Sequence, residues 1–296
     1  MKNLKNKIIV ITGGAEGIGK SLVLLLLKTG AEIVVYDRST IDYLESLEIN
    51  ERLRITCFKG DITKKKDVEA FVAYVHEEFG KIDILINNAG ASIARNSAAE
   101  TPDELSEFIF NVNYWGAVYF IKSFLPLLRS FGESKIVNIC SIFSLFSVCE
   151  RAAYCASKSA LKAYSDALRL ELRPRKIDVL CVFPGKVNTN IALNSIGWAN
   201  KADKLMAIKL QNGGSALSPQ CAAKQILKGI KKSKNHIFVG ADAKVARFLL
   251  RLFPYKGVLF INWLIKRSEK NAKQKVFSPV SKRPPSKKLL QFEFTK

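Results

Sequence analysis

Short apolar runs rich in β-branched residues alternate along this chain with longer amphipathic stretches, at the spacing of strand and helix units. Lys7 to Thr12 (KIIVIT) reads as a first strand, entering a glycine cluster and then the apolar SLVLLLLKTG, a helix that opens near Ile18. Glu32 to Tyr36 (EIVVY), Arg54 to Lys59, Lys81 to Ile86 (KIDILI), Lys135 to Cys140 and Lys176 to Phe183 read as further strands. Thr63 is a candidate N-cap for a helix through Phe79, and Tyr154 to Leu172 has helical periodicity. Thr101-Pro102-Asp103-Glu104 has the form of a capping box with proline at the first helical position, opening a long helix through Asn111, Asn113 and Gly116. This order predicts a parallel sheet with right-handed crossovers and helices on both faces, a doubly wound α/β fold.

In such a sheet, ligands belong at the carboxyl ends of the strands. Gly13 to Gly19, Asp37, Asp61, Asn88, Ser141 and Pro184-Gly185 all follow predicted strand ends, so one rim collects the polar motifs. Thr12, Gly13, Gly17, Ile18 and Gly19 form a strand, glycine turn and helix start, the context in which backbone approaches a pyrophosphate and free N–H groups meet its charge. Asp37 lies about 20 residues beyond the turn, where a carboxylate bonds adenosine ribose hydroxyls and repels a 2′-phosphate. Glu16 adds a second negative charge, partly offset by Arg38, so NAD is expected over NADP. A turn or helix cap by Asp37 is the structural alternative.

Tyr154 and Lys158 sit one helical turn apart, which can set an ammonium beside a phenol. A free tyrosine titrates near pH ~10, so a base near neutrality needs a shift of roughly three units, about 4 kcal/mol in favour of phenolate. A cation in a water-poor pocket can supply it. The pair by itself is weak, since one such spacing is expected by chance in this composition; what precedes it gives it meaning.

With these motifs in this order the chain resembles the short-chain dehydrogenase/reductase family over roughly residues 5 to 240. Thr12-Gly13-x-x-x-Gly17-Ile18-Gly19 is similar to its cofactor loop, Asp61-Ile62 to its adenine contact, and Asn87-Asn88-Ala89-Gly90 to its fourth-strand signature. Pro184-Gly185 with Thr189 is similar to its nicotinamide-side loop, and Ser141 precedes Tyr154 by the family's thirteen residues. The resemblance implies a Rossmann-type sheet of about seven strands, Phe238 lying in the last. It implies a catalytic set of Asn113, Ser141, Tyr154 and Lys158. Tyr154 would exchange a proton with the substrate oxygen while the nicotinamide exchanges a hydride. Ser141 would bond the same oxygen, Lys158 would hold the ribose and lower the tyrosine pKa, and Asn113 would anchor a water. It implies an NAD(P)-dependent oxidoreductase of alcohols or carbonyls, assembled as a dimer or tetramer.

Two departures stand out. Cys140 replaces a serine that many relatives carry, and Ile142 to Val148 (IFSLFSV) is unusually apolar, either a wall for an apolar, lipid-like substrate or packing for the next helix. Specificity is expected in the loops Ala91 to Glu100, Ile142 to Ala153 and Asn190 to Leu217.

Charge changes the picture of the last third. Residues 1 to 200 carry 25 basic and 22 acidic side chains, but residues 201 to 296 carry 22 and 4. The expected organisation is a nucleotide-binding and catalytic domain over 1–240, an apolar and basic amphipathic segment over 241–267, and a basic mobile tail over 268–296. In the segment, Lys244, Arg247 and Arg251 share one helical face and Val245, Phe248, Leu249 and Leu252 the other; Pro254 breaks it, and GVLFINWLI follows. Nine apolar residues cannot cross a core needing about 20. The segment reads as an in-plane anchor on anionic lipid, or else as a layer over the core or a subunit interface. No nucleic-acid module is recognisable in the tail. Six cysteines without a Cys-x-x-Cys pair read as free thiols in a cytoplasmic setting, and the only histidines, His76 and His236, leave little for a metal site, so none is expected. Two other readings remain open: an NADPH-dependent reductase of 3-oxoacyl thioesters, its basic tail meeting an acidic carrier, and a cofactor-sensing scaffold.

Overall fold

The computed structural model describes residues 1–277 apart from 95, 130–132, 199–200, 202–203, 206 and 209–215. Seven strands form one parallel sheet in the order β3-β2-β1-β4-β5-β6-β7: β1 Ile8–Thr12, β2 Glu32–Asp37, β3 Ile55–Lys59, β4 Ile84–Asn87, β5 Ser134–Ile139, β6 Ile177–Pro184 and β7 His236–Val239. The helices are α1 Gly17–Leu27, α2 Ile49–Arg52, α3 Lys65–Phe79, α4 Asp103–Phe110, α5 Gly116–Arg129, α6 Ala152–Leu172, α7 Pro219–Lys231, α8 Ala241–Leu252 and α9 Pro254–Phe277.

Alternation along each strand explains the three layers. Ile9 and Ile11 of β1 join Val35, Leu22, Leu26, Ala222 and Ile226 in one core, beneath α1 and α7. Val10 joins Val34, Leu85, Phe71, Phe120 and Leu168 in the other, beneath α3, α5 and α6. Both faces of the central strands β1, β4 and β5 are therefore buried, as an all-parallel sheet requires, while the edge strand β3 is only partly covered. The order reverses between β1 and β4, which makes the crevice beyond their carboxyl ends the place for a ligand.

Several local expectations are corrected. Lys64, not Thr63, precedes α3; the Thr63 hydroxyl donates to the Asp61 carboxylate at 2.8 Å, so a local turn takes the group that a cap would have used. Pro102 holds the N-cap position of α4 without a side-chain cap, and the Thr101 hydroxyl donates to the Ser97 carbonyl at 2.9 Å. The long helix through Asn113 is interrupted: Asn111–Trp115 forms a π turn between α4 and α5. Pro254 opens a second helix after α8, and that helix runs to Phe277, beyond the expected boundary at 267. The remaining tail, 278–296, and part of the predicted loop 190–217 lie outside the described residues. Among the described residues no helix is long and apolar enough to cross a membrane.

Candidate active site

The glycine turn follows β1 directly. Gly17 adopts φ +58°, a left-handed conformation that side chains disfavour, and a Cβ at Gly19 would collide with the Gly13 carbonyl oxygen. Glu16 holds the N-cap position of α1, yet its side chain accepts a hydrogen bond from Asn190 at 2.8 Å and another from Asn194, so no side chain caps the first turn. The free N–H groups of that turn suit an anion. Thr12 is wholly buried, and its hydroxyl accepts the Asn88 and Ala89 amides at 3.1 and 3.0 Å. The Asn88 side chain returns two bonds to the Thr12 and Gly13 carbonyls, which fastens the end of β4 to the turn. Ile18 packs at the margin of the α1 core.

Asp37 performs a task that the alternative reading named. One carboxylate oxygen accepts the Ala15 amide and the other the Ser39 amide, both at 2.9 Å. It braces the glycine loop from the end of β2. Asp61 accepts the Thr63 amide at 2.9 Å, and Ile62 is 8% exposed, its side chain set against Gly116.

The residues of the expected catalytic set gather beyond β4 and β5. Asn113, in the π turn, is buried; its amide oxygen accepts the Ala91 amide at 2.9 Å while its nitrogen donates to the Ala91 carbonyl and the Ser157 hydroxyl. A Cβ at Gly90 would lie 3.2 Å from both the Asn113 oxygen and the Lys158 ammonium, so those three positions meet at one point. Lys158 is buried and donates to the Ile139 carbonyl at 3.0 Å; burial brings its pKa down to about 8. Ser141 follows β5, and its hydroxyl accepts the Phe143 amide at 3.2 Å, closing a 3₁₀ turn over Ile142–Ser144. Tyr154 lies in the first turn of α6. Burial raises its pKa, outweighing the lowering that comes from a hydrogen bond with Ser141 and from the charge of Arg151. The chain by itself therefore keeps Tyr154 protonated at neutral pH, whereas the resemblance implied a lowered phenol.

Beneath the site runs a polar ladder: Asn87 donates to Asn138 at 2.8 Å and Asn138 to Ser165 at 2.7 Å, tying β4, β5 and α6 together. On the opposite wall Pro184 ends β6, Thr189 lies against Gly17, and the Lys186 amide donates to Asp242 of α8 at 2.6 Å, fixing the loop after Gly185. Asp242, Asn190 and Asn194 were not legible as site residues, because no motif spacing relates them to the turn or loop they hold.

The apolar loop is corrected in part. Ile142, Phe146 and Val148 are buried against Ala243, Ala246 and Ile261 of α8 and α9, so their bulk serves packing; Phe143 and Leu145 are only partly covered. One ligand-type cluster also forms that the histidine count did not suggest, Asp166, Cys181 and His236. Burial alone would raise Asp166, but hydrogen bonds from Lys162 and Arg169 bring it down to about 2. Arg169 donates to Asp166 at 2.6 Å and to the Cys181 sulfur at 3.3 Å, so cations already satisfy these groups.

The chain belongs to the short-chain dehydrogenase family, whose model matches residues 7–199, and with its fold and glycine turn this makes it a nucleotide-dependent oxidoreductase. Among curated relatives, it is 31% identical to a Drosophila melanogaster protein named dehydrogenase/reductase SDR family protein 7-like, over 85% of this chain and 78% of that one. It is 30% identical to the Mycobacterium tuberculosis putative oxidoreductase SadH, over 85% and 92% of the two chains. The fold matches solved short-chain dehydrogenases. One from Burkholderia phymatum in complex with NAD has a TM-score of 0.75 at 21% identity, with 85% of this chain and 96% of that one covered. One from Burkholderia cenocepacia in complex with NADP has a TM-score of 0.70 at 22%, with 94% and 100% covered.

Proposed function

We propose that the protein transfers a hydride between NAD(H) and an apolar, lipid-like secondary alcohol or ketone, with Tyr154 exchanging the proton at the substrate oxygen. The observation that carries this reading is the convergence of Tyr154, Ser141, Lys158, Asn113 and Gly90 at the strand ends that also hold the uncapped glycine turn. The residues fit a dinucleotide: the first turn of α1 for its pyrophosphate, Asp37 and Asp61-Ile62 toward the adenosine, Asn88 and Gly90 beneath it, Pro184-Gly185 and Thr189 at the far end, Lys158 for the ribose. When bound, the cofactor supplies or accepts the hydride at its nicotinamide ring. The protein's own part is protonic and positional. With its proton retained, Tyr154 can donate to a carbonyl oxygen, and Ser141, already bonded to the phenol, can donate to the same oxygen as charge develops there. The buried Asn113 and the Asn87–Asn138–Ser165 ladder keep α6 in register with the strand ends.

The choice of NAD rests on Asp37. Its carboxylate is held at the end of β2 by two amides, so it cannot swing away from a 2′-phosphate without releasing the glycine loop. Glu16 is likewise held by Asn190. Relatives of this fold are named with either nucleotide, so this point is the chain's own. Phe143 and Leu145, partly covered beside Ser141, support an apolar substrate, and six free thiols support a cytoplasmic setting. Assembly into a dimer or tetramer belongs to the same reading.

Fluorescence titration of NADH and NADPH, beside a Tyr154→Phe variant assayed on lipid alcohols and ketones, tests it. The expected result is tighter NADH binding, kept in the variant, with turnover down by about 10²- to 10⁴-fold. NADPH preference would overturn the Asp37 argument and favour the thioester reductase. Unchanged turnover in Tyr154→Phe would remove the tyrosine from the chemistry.

A further inference from the structure

The C-terminal helical hairpin keeps much of its apolar surface outside the protein. On α8, Ala243 and Ala246 face inward, while Val245, Phe248 and Leu252, three and four residues apart, form an exposed stripe; Phe248 is 63% exposed. On α9, Gly257 and Ile261 are buried, whereas Leu259, Phe260, Trp263 and Leu264 are exposed. Phe260 and Trp263 stack at 5.9 Å, and the Arg267 guanidinium lies 5.1 Å from the Trp263 ring. Cations border these stripes: Lys244, Arg247 and Arg251 along α8, Lys256 before the α9 patch, Lys266 and Arg267 after it, all exposed. From Ala243 to Ser268 the sequence holds these six basic residues and no acid.

We propose that the outer face of the α8–α9 hairpin seats in the plane of a lipid bilayer that carries anionic headgroups. Apolar stripes with a ring at the boundary and a basic border suit an acyl layer beneath phosphates. A second copy of the hairpin would bring like charges together around the same stripes, whereas an anionic surface neutralises them. No described helix can span, so the hairpin lies along the surface. A groove of about 550 Å³ opens beside the α9 patch, between Ser147, Val148 and Cys149 of the loop after Ser141 and Leu259, Asn262 and Trp263. Asn262 fastens that loop, accepting the Cys149 amide at 3.2 Å and donating to the Ser147 carbonyl at 3.0 Å, as Asp242 fastens the loop after Gly185. The seated hairpin thus holds both walls of the catalytic cleft at the lipid surface. The surface does not depend on the reaction assigned to the rim.

The test is sedimentation of the full chain with phosphatidylcholine vesicles, with and without phosphatidylserine, at low and high salt. It compares wild type with a Phe248→Ser/Trp263→Ser double variant and a Leu252→Ser/Leu259→Ser double variant, both of which keep every cation. The expected result is binding that requires phosphatidylserine and weakens about tenfold or more in both variants, with nucleotide titration unchanged. Absence of wild-type binding would overturn the proposal. So would binding undiminished in the variants and abolished by salt, which would assign it to the basic tail alone. A wild-type dimer in sedimentation velocity that both variants dissolve, with no vesicle binding, would assign the face to a second copy. Wild type that binds vesicles but neither NADH nor NADPH would count against the oxidoreductase reading and leave the lipid surface standing.

Discussion

The rim above the sheet and the hairpin at its end spend side chains in opposite ways. At the rim, polar groups are buried and paired: Thr12, Asn87, Asn113, Asn138 and Lys158 are nearly or wholly inaccessible and each bonds a named partner within 3.2 Å. On the hairpin, Phe248, Leu259 and Trp263 stand about half or more exposed, whereas Phe71, Phe120 and Phe124 in the core are wholly buried. Burying a polar group costs free energy unless it is paired, and exposing an apolar one forgoes stabilisation. Pairing removes most of the first cost at the rim, where Asn87 Oδ1 is a buried acceptor without a partner among the described residues; the second cost stands on the hairpin in the free protein, and seating on an apolar surface, as proposed above, would recover it.

That comparison is sharpened most strongly by two phenylalanines. Phe120, on α5, is wholly buried and meets Tyr36 at 5.0 Å and Phe124 at 5.7 Å between ring centroids. Phe120→Ala removes a full ring from the core and should cost about 3–5 kcal/mol, a fall in Tm of roughly 10 °C by calorimetry. A loss below about 1 kcal/mol would mean that the core beneath α3 and α5 is not as closed as its burial indicates.

Lys158 allows a smaller effect with a definite sign. Burial lowers its folded pKa to about 8, against roughly 10.4 in an unfolded chain. Between those values the unfolded state binds more protons, so stability rises with pH through this window, and the cost of the buried ammonium is fully present below pH ~8. Lys158→Met should therefore raise Tm by a few degrees at pH 7, with the gain shrinking as pH approaches ~10 and turnover lost throughout. A gain that grows with pH would show that the ammonium is stabilised in place, as the lysine of an ion pair would be.

The same contrast explains which features could be read from the sequence. The strands, the glycine turn, the placement of Asp37, Asn88 and Ser141 after strand ends and that of Tyr154 in a helix were legible because backbone geometry restricts residue types at those points: a left-handed φ at Gly17, alternating burial in β1, a helix opening at α6. Helix starts were less legible. Thr63 and Thr101 had good capping chemistry, but nearby groups, the Asp61 carboxylate and the Ser97 carbonyl, took their hydroxyls. The π turn at Asn113 had no local signature, since its five-residue spacing is stabilised by the Ala91 and Ser157 bonds made across the site. Asp242 and Asn262 were hidden for the same reason: each acts on a loop far away in the chain, at Lys186 and at Ser147 to Cys149. The apolar run after Ser141 was visible, but which neighbour covers it depends on where α8 and α9 fold back, and no periodicity carries that information.

The smallest effect is the most discriminating for the hairpin. Phe248 has the same side chain as Phe120 but is 63% exposed, so truncating it removes little area that folding had taken from water. Phe248→Ala should leave the unfolding free energy within about 0.5 kcal/mol of wild type, the range of surface substitutions, while keeping Arg247 over the Phe238 ring at 4.5 Å. Calorimetry of the free protein gives that value directly. If Phe248→Ala instead lowers stability by more than about 2 kcal/mol, the side chain is already covered in solution, within its own chain or by another copy. Dilution separates those two, because only an interface between copies makes the loss depend on protein concentration. A near-zero cost in free protein combined with a marked loss on anionic vesicles would show that the ring serves the bound state alone, which is what sets the hairpin apart from the sheet it is attached to.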